Sequence, residues 1–153
     1  MSTEPIRVLF VCTHNSARSQ IAEALLQHYG GDDFEVHSAG TEATGVNPLA
    51  ITVLGDLGID WSHATSKTIG AFLDQQFDYV ITVCDRAKAT CPVFPGSANS
   101  LHWSLDDPAE VEGTDAEKLD AFRRTETELS VRLRPFIEVA LRAAGRQHHP
   151  TLA

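Results

Sequence analysis

Along the chain, apolar and polar positions switch between two periods. Ile6-Arg7-Val8-Leu9-Phe10-Val11 is an almost continuous apolar run of strand length, which suits a central strand of a parallel sheet covered on both faces. From Ser19 the period lengthens: Ile21, Leu25 and Tyr29 recur about a turn apart and Gly30-Gly31 marks the stop, predicting a helix. Cys12 to Arg18 is then a strand-to-helix turn. A second strand is predicted from Phe34 to His37. Asn47-Pro48 reads as the cap and first position of a helix that stops near Gly58. Asp78 to Val83 reads as a third buried strand ending at Cys84, and Ser100 to Trp103 as a short fourth one ending near Asp106-Asp107-Pro108. Ala116 to Ala144 carries Leu119, Phe122, Leu129, Leu133, Phe136, Ile137 and Leu141 at helical spacing. Proline in a helix interior costs about 3 kcal/mol, so Pro135 predicts a kink or two helices instead of one straight rod.

Strands alternating with helices imply an α/β fold: a single-domain, open, parallel four-stranded sheet with helices on both faces. Such sheets bind ligands at the carboxyl ends of their strands. Cys12, Cys84 and Asp107 each follow a predicted strand end. With 153 residues, 42% of them hydrophobic, the chain suits one domain, predicted over 1–146, with 147–153 as a frayed tail.

The formal net charge of −9 argues against broad nucleic-acid binding, which needs clustered Lys and Arg. It also repels a small anion from most of the surface, so an anion site must be locally positive and focused. Met1 to Pro5 carries no basic region or long apolar stretch, so neither a secretory signal nor a membrane partner is expected, and a cytoplasmic location is. There, three cysteines are more plausibly reactive or metal-binding than a structural disulfide framework.

The chemistry concentrates in Cys12-Thr13-His14-Asn15-Ser16-Ala17-Arg18-Ser19. A cysteine, five residues and an arginine lie between a buried strand and a helix. Amides of such a turn point inward at a tetrahedral oxyanion, the helix N-terminus adds partial positive charge, and Arg18 offers a bidentate fork. The same field favours a thiolate, making Cys12 the candidate nucleophile without a histidine base. Ser19 is placed to donate to that thiolate, and Asn15 tolerates left-handed backbone in a tight loop. The plain alternative is a buried strand-end cysteine beside a surface arginine.

This loop, together with Ser38-Ala39-Gly40, Gly45-Val46-Asn47-Pro48, Val83-Cys84 with Cys91-Pro92, and His102-Trp103 with Asp106-Asp107-Pro108, resembles the low-molecular-weight protein tyrosine phosphatases. Within them it resembles the thioredoxin-coupled arsenate reductases, from Val8 through the long C-terminal helix. The resemblance implies that Asp107 is a general acid, since an oxygen leaves a pentacoordinate centre more readily when protonated. It further implies a relay: Cys12 bonds to arsenic, Cys84 attacks the Cys12 sulfur as arsenite leaves, and Cys91 attacks Cys84 to leave an exportable Cys84–Cys91 disulfide. Arsenate is the implied substrate and phosphate its analogue. No tightly bound cofactor is implied, and the electron donor is an external thiol reductant, thioredoxin foremost, with glutaredoxin or mycothiol as alternatives. Arg86 and Lys88 either raise the thiolate fraction of the relay cysteines or belong to a solvated loop.

Members of the family also bind potassium near residues matching Asn15, Glu23 and Ser38, completed by an aspartate. Here Lys67 stands at the matching place, so an ammonium group is expected to replace the cation. Two rival readings remain. A tyrosine phosphatase would use Cys12, Arg18 and Asp107 alone, but Ala109-Glu110-Val111-Glu112-Gly113 follows where such phosphatases place aromatic residues. A metal or redox sensor would use the cysteines with some histidines, but His14, His28, His37, His63 and His102 lack paired ligand spacing, so no metal site is expected.

Overall fold

The computed structural model describes residues 4–85 and 97–146. Seven main elements follow in order: β1 (Ile6–Cys12), α1 (Arg18–Gly30), β2 (Phe34–Gly40), α2 (Pro48–Asp56), β3 (Phe77–Thr82), β4 (Ser97–His102) and α3 (Asp115–Ala143). Short 3₁₀ helices lie at Gly31–Asp33, Ile69–Phe72 and Pro108–Glu110. The four strands form one parallel sheet in the order β2-β1-β3-β4. The long apolar β1 thus sits in its interior, flanked by β2 and β3.

Alternation along β1 divides the core. Val8, Phe10 and Cys12 face a large cluster that includes Ile21 and Leu25 of α1, Leu54 of α2, and Phe122, Leu129 and Leu133 of α3. Leu9 and Val11 face a smaller one completed by Phe72, Phe77 and Val80. Burying each such side chain contributes about 1.5–3 kcal/mol, which fixes the register of β1 and hence the place of Cys12 at its carboxyl end.

Asn47 caps α2 as its sequence predicts, its Oδ1 accepting from the Leu49 amide at 2.9 Å. Thr114 and Glu117 form a capping box at the start of α3. Three features differ from expectation by more than a residue or two. β2 runs three residues further, to Gly40, where its end meets the Cys12 loop. β4 begins at Ser97, three residues early, because this polar edge strand is held by pairing with β3 and has no apolar alternation to announce it. Pro135 does not divide α3, which is continuous over 29 residues. The carbonyl left without a donor is that of Val131, and both Val131 and Pro135 are exposed, so water can take the lost bond.

The predicted tail 147–153 and Arg86, Lys88, Cys91 and Pro92 lie outside the described residues. Among the described residues no helix is long and apolar enough to cross a membrane.

Candidate active site

The turn after β1 is held from outside by its carbonyl groups. Thr13 O accepts from the Glu42 amide at 3.0 Å and from Thr41 Oγ1 at 3.0 Å. His14 O accepts from the Thr44 amide and Ser66 Oγ, each at 3.3 Å, and Ser16 O from the Asn47 amide at 3.0 Å. Asn15 O accepts from Ser66 Oγ at 2.6 Å. With the carbonyls turned outward, the amides of His14, Asn15, Ser16 and Ala17 donate to no acceptor within the chain among the described residues. They are the groups an oxyanion would engage. Ala17 begins α1 with no side-chain cap, so its first-turn amides add to the same positive field.

Gly40 makes this packing possible. A Cβ there would lie 2.7 Å from Asn15 N, Thr13 O and Glu42 O, all backbone atoms. The glycine is required by close approach of β2 to the loop.

Cys12 is a free, buried thiol, 2.8 Å from Ser19 Oγ. Asn15 takes φ 48°, the left-handed conformation expected of it, which turns its side chain beneath the loop. Asn15 Nδ2 donates to Ser19 Oγ at 2.8 Å and to Ser38 Oγ at 2.9 Å. Its Oδ1 accepts from Gln20 Nε2 at 2.9 Å and from the Lys67 amide at 2.7 Å. Trp61 Nε1 in turn donates to Gln20 Oε1 at 2.9 Å. Since Ser19 Oγ already accepts from Asn15, its own proton is left to point at the Cys12 sulfur.

Arg18 is 5% exposed. Its Nη1 donates to Leu105 O at 3.0 Å, and Nη2 lies 3.7 Å from Asp107 Oδ2. Asp107 Oδ1 accepts from the Ala109 amide at 3.0 Å, leaving Oδ2 on the Arg18 side. Asp106 is exposed. Cys12, His14, Ser16, Ala17, Arg18, Thr44, Asp107 and Ala109 together line a cavity of about 220 Å³, room for a tetrahedral oxyanion.

Cys84 follows the end of β3, the neighbour of β1. Val11 pairs with Thr82, and the Val83 amide donates to Val11 O at 2.9 Å, so Cys84 lies one residue beyond the level of Cys12. It is buried and disulfide-bonded, while Cys12 is free. Val83 shares the large cluster with Cys12, and Cys84 does not.

The four residues expected around a cation do converge. Ser38 Oγ donates to Glu23 Oε1 at 2.5 Å, Asn15 reaches Ser38, and Lys67 Nζ lies 3.8 Å from Glu23 Oε1 while donating to Thr65 O at 2.7 Å. Burial pushes the Glu23 carboxyl above the usual carboxylate range, outweighing the Ser38 hydrogen bond and the Lys67 charge, which act the other way. Among the described residues no group of three or more His, Cys, Asp and Glu side chains is placed to hold a metal. Sequence reasoning missed Gln20, Trp61 and the Leu105 carbonyl. Nothing in residue type or spacing links Trp61 to Gln20, and a backbone acceptor leaves no mark in a sequence.

A family model described as low molecular weight phosphotyrosine protein phosphatase matches residues 7–146. An arsenate reductase of Halalkalibacterium halodurans is 47% identical over 131 residues, covering 86% of this chain and 94% of that protein. Among solved structures, an arsenate reductase in the phosphate-binding state superposes with a TM-score of 0.69 at 32% identity, over 86% of this chain and 96% of that one. The Corynebacterium glutamicum thioredoxin-dependent arsenate reductase does so with a TM-score of 0.63 at 33% identity, over 92% of this chain and 65% of that one.

Two outcomes test this geometry. Gly40→Ala must displace the loop, and a misplacement on the order of 1 Å can cost about 100-fold; titration calorimetry with phosphate should show binding weakened at least about tenfold, with the helical signal retained. Glu23 holds its proton to higher pH when folded than when unfolded, so its contribution to stability falls as pH rises through and above the ordinary carboxylate range. Glu23→Gln cannot ionise. Melting curves from about pH 4 to 7 should therefore show the variant gaining on the wild type as pH rises, whatever their absolute difference.

Proposed function

This chain belongs to the low molecular weight phosphotyrosine protein phosphatase family, and on that premise we propose that it reduces arsenate to arsenite through Cys12, Cys84 and Cys91, with thioredoxin as electron donor. The observation that carries the reading is a thiol in an oxyanion loop, Cys12 against Ser19, with a second cysteine at the end of the adjacent strand. A phosphatase needs the first and has no use for the second. Arsenate reductases among the relatives and a thioredoxin-dependent one among the structural neighbours support the same reading.

The amides of the loop and the Arg18 fork bind the oxyanion. The Cys12 thiolate, held by the Ser19 hydroxyl, attacks arsenic, and the oxygen that leaves takes a proton from Asp107. The Cys84 thiolate then attacks the Cys12 sulfur. The sulfur–arsenic electron pair stays on arsenic, reducing As(V) to As(III), and arsenite departs as a Cys12–Cys84 disulfide forms. Cys91 attacks the Cys84 sulfur, Cys12 leaves as a thiolate, and the dithiol of thioredoxin reduces the resulting Cys84–Cys91 disulfide. Because Cys84 lies one residue past the level of Cys12 and outside its cluster, the first disulfide requires the backbone after Val83 to turn. Residues 1–146 act as one catalytic domain in the cytosol, where thioredoxin is kept reduced.

Lys67 belongs to the same proposal. Its ammonium group, anchored on Thr65 O beside Glu23, takes the place of a bound cation. Melting temperature and turnover should then be equal in potassium and in a large organic cation at matched ionic strength; a saturable stabilisation by potassium alone overturns this assignment.

The relay is tested with arsenate, thioredoxin, thioredoxin reductase and NADPH. Wild type should turn over steadily and Cys12→Ser should release no arsenite. Cys91→Ser should release about one arsenite per enzyme, because two thiols suffice for one reduction, then stall with a Cys12–Cys84 disulfide that peptide mapping identifies. Full-rate turnover of Cys91→Ser with thioredoxin alone refutes the relay. A variant with Cys84→Ala and Cys91→Ala should keep slow hydrolysis of an aryl phosphate that Cys12→Ser loses; such hydrolysis without any arsenite from the wild type would favour the phosphatase reading.

A further inference from the structure

The Cys12 loop works through its backbone, and one of its side chains is left without a task. His14 lines the cavity beside Cys12, Arg18 and Asp107. Its carbonyl is held from behind by the Thr44 amide and Ser66 Oγ, so the residue is fixed in place. Its imidazole, however, makes no hydrogen bond to any of the described residues. Nδ1 is enclosed by protein and lies 3.4 Å from Glu42 Oε2, a contact of charge alone. The two side chains are 44% and 67% exposed, so water screens that contact and little holds the ring there.

The direction of attack decides what such a ring can meet. A nucleophile approaches a tetrahedral oxyanion roughly in line with the oxygen that leaves. Cys12 is buried at the carboxyl end of β1, so the leaving oxygen points away from the sulfur, toward the cavity opening. The other three oxygens face the loop amides and the Arg18 fork. Positive charge is short at the outward oxygen. Among the described residues, Arg18 is the one side chain on the cavity with a permanent positive charge, and Asp107 lies 3.7 Å from it.

We infer that the His14 imidazole binds this outward oxygen, turning from Glu42 when an anion enters, and thereby selects free oxyanions over their esters. One proton between ring and anion suffices, whichever of them carries it, because an imidazole both donates and accepts. The charge-assisted hydrogen bond so formed is stronger than the screened contact given up. In an ester the outward position carries carbon. A site built to hydrogen-bond an oxygen disfavours an analogue that does not present it, because the site's own polar group is then left unpaired.

The inference deepens the proposed function and rests on its reading of Cys12 as the nucleophile: free arsenate presents an outward oxygen, and a tyrosyl phosphate carries its ring there. The simpler use of His14 is as a strut that holds Glu42 and the rim of the loop. A strut affects every anion alike. A ligand for one oxygen affects only the anions that have it.

Methylphosphonate separates the two, being phosphate with one oxygen replaced by a methyl group. Its remaining oxygens satisfy the amides and Arg18, which leaves the methyl group outward. Titration calorimetry at about pH 7 on Cys12→Ser, which cannot turn over, should show phosphate bound more tightly than methylphosphonate. Adding His14→Ala should lower that preference at least about fivefold, with the dissociation constant of methylphosphonate changed less than about twofold. Equal binding of the two anions before His14 is changed overturns the inference. So does a preference that survives His14→Ala, or an equal weakening of both anions, which would make His14 a strut. The arsenate reading fails separately. A preference that depends on His14, in a chain whose wild type releases no arsenite, leaves this inference standing and removes that reading; steady arsenite release with a preference indifferent to His14 does the reverse.

Discussion

The arrangement of the Cys12 loop depends on one buried amide, the side chain of Asn15. Both of its donors and both acceptor directions of its oxygen are used, by Ser19, Ser38, Gln20 and the Lys67 backbone. A buried polar group left without a partner costs about 1–3 kcal/mol, so none of the four can drift without penalty. They come from α1, β2 and the segment leading to the Ile69–Phe72 turn, elements that share no contiguous stretch of chain. The amide therefore holds three separate pieces of backbone in one arrangement, with the left-handed conformation of its own residue as the condition for reaching them.

That arrangement decides which way protons point. Ser38 accepts from Asn15 and donates to Glu23, while Ser19 accepts from Asn15 and, among the described residues, has the Cys12 sulfur as the acceptor within reach. The loop amides face the cavity because its carbonyl groups are occupied from behind. Positive character is thus delivered to one point in a chain of net charge −9 by oriented dipoles and one buried arginine. Such groups keep their strength in a low-dielectric pocket, where scattered surface charges are screened.

How much of this was legible in the sequence follows the range of the interactions. Local rules found the strand-to-helix turn, the left-handed Asn15, the proximity of Ser19 to Cys12 and the Asn47 cap, since each depends on residues a few positions apart. The convergence of Asn15, Glu23, Ser38 and Lys67 was reached only through family resemblance. Gln20 with Trp61, and Arg18 with the Leu105 carbonyl, were not found at all, because they are joined only by the packed core. Of the two outcomes Pro135 predicts, a kink or two helices, the second does not occur: α3 runs on through the proline, and the freed carbonyl of Val131 faces water. β4 was shortened because an edge strand held by pairing needs no hydrophobic pattern.

The same hydroxyl that presents Cys12 for attack serves the proposed relay at its other end. A thiolate stabilised by a hydrogen bond is a readily available nucleophile, and it is also a better leaving group when another thiolate attacks a disulfide that contains it. When Cys91 attacks the Cys12–Cys84 bond, the two possible leaving sulfurs are not equivalent. Cys12 departs toward the Ser19 proton and the dipoles of the loop, whereas expulsion of Cys84 would release a thiolate without that support. The direction of the exchange is thereby biased toward freeing Cys12 and passing the oxidation outward, away from the buried loop and toward a reductant too large to enter it. In the proposed relay one oriented hydroxyl, fixed by Asn15, thus serves both the attack on arsenic and the direction of the exchange with Cys91.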